Sequence, residues 1–375
     1  MPLYLNEDQQ MLRDAAREFV GEQMPVAHMR ALRDTNDTTG FSRDHWKQFA
    51  EMGFTGILIG EDHGGLGLGH VEAGVVLEEI GRNLAPSPFL STAVAAVAAL
   101  KGTGAAERWF PGIVSGDTVA ALAIDESAKH RASVALKAER SGNGFKLTGA
   151  KQFVTHGHVA DLLIVAARTS GSANDTDGVT LFAVPKDAAK LTATPERLAD
   201  ANLAARIEFD GVEVDADAVI GEVDAGRSPL DRLLRAGRTG ASAELLGVGG
   251  GAMDMTVDYL KQRKQFGVPI GSFQALQHRA AHLYAEMEVA RAAVLKAQQL
   301  LDAGDPKADA AVSVAKAMTG MATTLAVQEG VQMHGGIGMT DEYDIGFYMK
   351  RARVLAELFG DANFHADALA TAAGY

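Results

Sequence analysis

The stretch "RKQFGVPIGSFQALQH", Arg263 to His278, decides how the whole chain is read. It stands between two long helical patterns. Arg263 offers a planar guanidinium that suits phosphate. Phe266 can lie against an aromatic ring, and Gly267-Val268-Pro269 turns the chain. A second stretch, "VQMHGGIGMTDEY" from Val331 to Tyr343, ends a helix with Gln332 and a group of glycines. Glycine lets backbone approach a pyrophosphate closely. Taken singly, each stretch reads as a loop joining two helices, because Gly-rich loops are weak signals.

Outward from these stretches the period changes twice. From Ser228 to the end the pattern is helical. "QALQHRAAHLYAEMEVARAAVLKAQQLLDAG" is one long helix ended by Gly304, and "KADAAVSVAKAMTGMATTLAVQEGVQMHGG" is another ended by a Gly pair. Helices of this length with short connections predict an antiparallel bundle. From about Thr118 to Glu222 short apolar runs such as "ADLLIVAAR" and "GVTLFAVPK" alternate with Gly, Asp, Asn and Pro, which is β-sheet punctuation. "SGNGF" predicts a hairpin turn. From Asn6 to about Gly116 the pattern is helical again. Asn6 with Gln9 forms a capping-box signature, Ser42 is a second cap, and "HVEAGVVLEEIGRNL" is a third helix. The expected domains are 1–117 (helical), 118–226 (β) and 227–375 (helical bundle), an α+β multi-domain fold.

With 375 residues, 47% of them hydrophobic, the chain can bury a sizeable core. A net charge of -13 argues against nucleic acid or an anionic membrane as the main partner. There is no cysteine, which excludes disulfides, thiol nucleophiles and Cys-zinc sites and fits a reducing compartment. The N-terminus turns charged within a few residues, unlike a secretory signal. The most apolar run, "FLSTAVAAVAAL", falls short of the ~20 residues a membrane span needs. The expectation is a soluble, cytoplasmic protein with no membrane partner.

Together and in this order, the segments resemble the acyl-CoA dehydrogenase family of flavoproteins. "GAKQFVTHG" (Gly149 to Gly157) is similar to the family's Gly-x-Lys-x-Trp-Ile-Thr-Asn segment, and "YMKRAR" (Tyr348 to Arg353) precedes the terminal helix as in the family. The resemblance implies an N-terminal α-helical domain, a middle β domain and a C-terminal four-helix bundle. It implies FAD as cofactor, shared across a dimer interface within a tetramer. It places the FAD pyrophosphate contacts to a neighbouring subunit on Arg263, Phe266, Gln332, Gly335 and Gly336, with Gln274 near the same groove. Thr155 keeps the hydroxyl expected at the flavin, and Phe153 stands where the family has Trp. The family's Thr-Glu-Pro-Gly-Ala-Gly-Ser-Asp segment aligns with "AIDESAKHRAS", Ala123 to Ser133. There the Pro-Gly turn is gone, and Lys129, His130 and Arg131 replace small residues.

The family reaction removes a proton α to a thioester while a hydride leaves the β carbon for the flavin. An α-proton is a weak acid, so a carboxylate must sit within hydrogen-bond reach in a water-poor pocket. The family places this Glu directly before the Gly of its terminal Tyr-Glu-Gly-Thr segment; the match in "VLAELFGDANFH" is Phe359. Some members carry it before an Arg on the first bundle helix. That Arg matches Arg238, a candidate substrate contact, and the base position is Gly237. Arg235 matches a family acidic residue near the CoA chain. Asp361 is the remaining candidate base; Glu357 reads more simply as a solvated helix charge, and His365 and His334 as packed or surface imidazoles.

The resulting expectation is an oxidoreductase subunit acting on an acyl-CoA thioester, without a catalytic residue of its own. It would work in a heterotetramer (α2β2) with a homologous subunit that supplies the Glu, with electron-transfer flavoprotein as acceptor. Such split enzymes in the family act on steroid side chains. Two alternatives stay open: a self-sufficient enzyme using Asp361, and a flavin-free thioester-binding or hydratase-like protein.

Overall fold

The computed structural model describes residues 3–375; the first two residues of the expected N-terminal domain lie outside it. In chain order come α1 (Glu7–Gln23), α2 (Val26–Asp34), α3 (Arg43–Glu51), α4 (His70–Arg82), α5 (Val97–Leu100) and α6 (Ala105–Val114). Strands follow: β1 (Ala120–Ala123), β2 (Lys137–Ser141), β3 (Gly144–Thr155), β4 (Leu162–Arg168), β5 (Val179–Pro185), β6 (Leu191–Arg197), β7 (Leu203–Val214) and β8 (Val219–Ile220). Then come α7 (Arg227–Gln262), a small hairpin of β9 (Lys264–Gln265) and β10 (Val268–Pro269), α8 (Gln274–Asp302), α9 (Ala308–His334), α10 (Ile345–Glu357) and α11 (Ala362–Ala372).

The chain divides into two compact units. One holds the residues up to Asp34, His70–Ala85 and Arg238–Tyr375; the other holds Thr35–Gly69 and Pro86–Gly237. The first is helical apart from the β9–β10 hairpin. The Asn6 side chain accepts from the Gln9 N–H at 2.8 Å and the Gln9 side chain accepts from the Asn6 N–H at 3.0 Å, so α1 starts at its capping box, worth about 1 kcal/mol. α9 is the central helix and packs on α8, α10 and α11. α4 runs against α7 through glycines: Gly81 backs onto the Glu244 carbonyl and Gly247 onto the Glu78 carbonyl, where a Cβ would overlap. Such contact is available only to glycine. Charged pairs tie these two helices to their neighbours α1, α8 and α10. Buried Glu79 accepts from Arg17 at 2.9 Å, Glu78 pairs with Arg291 at 2.6 Å, and Glu244 pairs with Arg351.

The second unit is built on an 8-stranded sheet of order β6-β7-β3-β2-β4-β5-β8, with β1 parallel to β4. β4 is buried along its whole length, whereas edge strand β6 is largely exposed. The expected hairpin at "SGNGF" joins β2 to β3, with Ser141 opposite Gly144. Ser42 accepts from the His45 N–H at 3.2 Å and caps α3 as expected. The apolar run "FLSTAVAAVAAL" is a buried π-helical turn, Leu90–Ala96, continuing into α5. Thr92 Oγ1 donates to the Ala120 carbonyl (3.0 Å) and accepts from the Ala120 N–H (2.9 Å), so a side chain completes the start of β1. Among the described residues, Ala308–Met339 is the one helical segment long and apolar enough to cross a membrane. Of its most apolar window, 56% is buried inside the protein, as the central helix of a bundle requires.

Candidate functional site

The helix pattern around "VLAELFGDANFH" breaks at Leu358. α10 ends at Glu357, and Phe359 adopts φ +60, a left-handed conformation that is strained for an aromatic residue. Glu357 pairs with Arg353, one turn earlier on α10, at 3.0 Å. Phe359 is 2% exposed. Arg238 Nε donates to its carbonyl at 3.2 Å, with the guanidinium 5.5 Å from the Phe364 ring. Lys316, from the middle of α9, is 1% exposed and donates Nζ–H to the carbonyls of Ala356 (2.9 Å) and Gly360 (3.0 Å). Burial pushes the Lys316 ammonium down to about 7; Arg238 adds to this, and Glu357 and Asp361 oppose it.

Two cations from two bundle helices thus hold one tight turn. Gly360 follows at φ +106, and a Cβ there would run into the Phe364 ring and approach His365 Nε2 at 3.1 Å. Asp361 caps α11: Oδ1 accepts from the Phe364 N–H at 2.8 Å. His365 is fully buried against Phe364, ring centroids 5.2 Å apart, a packed imidazole as expected. Gly237, the other place where the family carries an acid, is buried in α7 with no side chain. Lys316 was missed in the sequence because a lysine inside a regular helical pattern looks like surface.

In the sheet unit, Phe153 sits at φ +55 and is 42% exposed. The register of β3 on β7 shifts between Lys151 and Val154, so Phe153 lies on a bulge. Thr155, two residues on, pairs with Ala204 of β7. The bulge leans on the segment Ala123 to Ser133. Lys151 is fully buried and donates to the Ile124 carbonyl (3.1 Å) and Glu126 (2.6 Å), and the Gln152 N–H reaches the Asp125 carbonyl at 2.8 Å. Glu126 also accepts from the N–H groups of Ala135 and Leu136 at 2.9 Å. His130 Nδ1 lies 2.7 Å from Asp125 Oδ1. This segment, expected to lack the family's Pro-Gly turn, is therefore closed by side-chain hydrogen bonds. The Lys151–Glu126 pair could not be found from spacing alone, because it joins positions 25 apart.

The residues of the opening stretch form an exposed assembly. Phe266, at φ +54 on the tip of the β9–β10 hairpin, is 90% exposed and meets Phe273 edge-on at 6.3 Å. Arg263, Gln274, Gln332, Gly335 and Gly336 are all exposed. Beneath them Leu260, Ile270, Leu283 and Met333 form one apolar cluster, joined by Tyr259 and Leu276, which sets the hairpin and the start of α8 beside the end of α9. A Cβ on Gly335 or Gly336 would meet nothing within 4 Å, so the backbone there is open. Gly335 turns its own N–H back onto the Gln332 carbonyl, so its use lies in its φ of +65 rather than in donating outward. A surface cation, an exposed ring, two amides and uncovered backbone fit the phosphate end of a dinucleotide.

The chain matches the acyl-CoA dehydrogenase N-terminal, middle and C-terminal domain families over residues 6–117, 126–212 and 225–374. It is 31% identical to acyl-CoA dehydrogenase FadE12 of Mycobacterium tuberculosis over 362 residues, 93% of this chain and 91% of that one. Among solved structures it is similar to the ChsE4-ChsE5 complex from Mycobacterium tuberculosis (TM-score 0.90, 27% identity, 100% of both chains). It is also similar to the Tcur3481-Tcur3483 steroid ACAD (TM-score 0.87, 29% identity, 97% of both chains). The chain belongs to the acyl-CoA dehydrogenase family of FAD-dependent oxidoreductases.

Proposed function

We propose that this chain is the base-lacking subunit of a heteromeric acyl-CoA dehydrogenase. A homologous subunit supplies the catalytic Glu and the flavin-ring site, and this chain completes the pyrophosphate pocket. One observation carries the reading. The turn expected to carry the base has Arg238 and Lys316 on its carbonyls, but it holds Phe359, which moves no proton. Asp361, the nearest acid past Gly360, already caps α11 and so has a structural task.

When bound, FAD supplies the acceptor for the hydride that leaves the β carbon. On this chain Arg263, Gln332 and Gly336 would hold the anionic pyrophosphate, Gln274 would border the groove, and Phe266 would lie against a ring of the cofactor. Thr155 and Phe153 are the candidate contacts at a flavin edge, and Arg238 is assigned to the substrate side. Phe359 contributes only an apolar wall. The likeness to a heteromeric complex and to a steroid ACAD supports an α2β2 assembly acting on a bulky, steroid-type CoA thioester. Electron-transfer flavoprotein is the proposed acceptor, and the cytoplasm the proposed compartment. The three domains are proposed as 1–117, 118–226 and 227–375.

The test is expression of the chain alone and together with homologous candidate subunits, read by flavin absorbance, oligomeric state and turnover of acyl-CoA thioesters. The expected result is a colourless or inactive chain alone and a yellow, active complex. A yellow homo-oligomer that turns over thioester by itself would refute the reading.

A further inference from the structure

His334 ends α9, and the glycine segment Gly335–Met339 begins directly after it. The imidazole is 2% exposed. Its Nδ1 lies 2.7 Å from the Gly330 carbonyl. A carbonyl only accepts, so Nδ1 carries the proton and Nε2 is left as a lone-pair acceptor. That Nε2 is buried and has no hydrogen-bond partner among the described residues. The ring lies between Tyr259 of α7, at 4.5 Å and 31°, and Tyr343, at 4.8 Å and 49°. The glycine segment folds back over it: a Cβ on Gly338 would fall 2.9 Å from His334 Cβ and 2.7 Å from the Val331 carbonyl. The neutral imidazole is thus the floor on which this turn is laid.

From this geometry we infer that His334 is a pH-sensitive positioning residue for the Gln332–Gly336 segment. Neutral, it seals the end of α9 and holds the glycine turn. Protonated, it carries a second N–H that has no acceptor and a charge that has no solvent, so the stack opens and the turn loosens. Burial already disfavours the charged form and lowers the pKa, with the Gly330 hydrogen bond opposing. The titratable groups that face the ring are Tyr259 on α7 and Tyr343 ahead of α10; Asp258 and Asp344 act on Tyr343. On α9 itself Glu329 is paired with Arg279 of α8. The glycine segment contributes no charge.

The sign follows from linkage. The folded state holds fewer protons at this site than the unfolded state near and below pH 6.5, so stability and segment order fall as the pH is lowered. The functional half of the inference rests on the proposed pyrophosphate role of Gln332 and Gly336. The experiment therefore has two arms. In the first, thermal unfolding of the full chain is followed from pH 8 to pH 5 for the wild type, His334→Asn and His334→Gln. Asn keeps a donor near Nδ1, Gln keeps an amide near Nε2, and neither titrates. The wild type should lose midpoint temperature on acidification more steeply than both variants; parallel profiles for wild type and the better-folded variant overturn the inference. In the second, FAD affinity of the complex with a partner subunit is measured over the same range. Wild-type affinity should fall by up to about tenfold per pH unit and the His334→Asn complex should stay flatter. Bound FAD with equal pH profiles overturns the functional half alone. No FAD with any partner refutes the proposed function and leaves the first arm to decide whether His334 positions the turn.

Discussion

Lys316→Met gives the sharpest test of the clamp on the Phe359–Gly360 turn. Met keeps most of the side-chain length and removes the ammonium. Two opposing effects follow. The carbonyls of Ala356 and Gly360 lose their donors, a cost of about 1–3 kcal/mol each. The protein is also relieved of a desolvated charge. The net change at one pH is therefore ambiguous in size, but its pH dependence is not. Burial holds the Lys316 pKa at about 7 in the fold, below the ordinary lysine value of 10.5. Between those values the unfolded chain holds the proton and the folded chain releases it, so wild-type stability rises with pH. A unit of pKa shift corresponds to about 1.4 kcal/mol, so integration from pH 7 to pH 9 gives a gain of about 2 kcal/mol. An unfolding entropy of about 2 cal/mol/K per residue over this length makes that roughly 3 °C in midpoint. Differential scanning calorimetry of wild type and Lys316→Met at both pH values isolates the term, since all other groups are shared. The wild type should gain about 3 °C more than the variant over this interval. Equal gains would refute the buried, depressed ammonium and with it the clamp.

Three further outcomes follow from the same geometry. Asp361→Asn keeps a good N-cap and should leave both stability and turnover of the complex within measurement error, whereas Asp361→Ala should cost about 1 kcal/mol in urea unfolding; loss of turnover in Asp361→Asn would revive that residue as a base. Phe266→Ala removes a side chain that is 90% exposed, so the melting temperature should hold within a degree or so while flavin content of the complex, read by visible absorbance, drops severalfold. Glu126→Gln strips the counter-charge from fully buried Lys151 and should destabilise the sheet unit by about 3–5 kcal/mol in chemical denaturation; a change under 1 kcal/mol would show that the Phe153 bulge does not depend on that pair.

Much of the architecture is local and periodic, which is why it can be read in the sequence. The Asn6–Gln9 box, the Ser42 cap, the Gly304 stop and the hairpin at Ser141–Gly144 each rest on hydrogen bonds within a few residues. The family segments also lie contiguously along the chain, so Arg263, Phe266 and Gln332 could be chosen as candidates before any contact was known. What spacing could not supply is pairing across distance. Lys316, which meets Gly360, and Lys151 with Glu126 are polar side chains that pattern reading assigns to surface or loop. The left-handed turn at Phe359 was equally hidden, because a helix pattern with a Gly stop does not say which residue leaves the helix first.

The sequence alone determined the order of helices, sheet and bundle and pointed to the family, and it set the expectation that Phe359 and Gly237 stand at the base positions, since each depends only on which residue stands where. The tertiary structure decided what surrounds those positions. It turned Phe359 inward under two cations, committed Asp361 to a helix cap, and rebuilt the segment from Ala123 to Ser133 on buried pairs. The physical reason is burial. A lysine in water says little, but the same lysine taken out of water must find acceptors, and only the folded chain brings those acceptors to it.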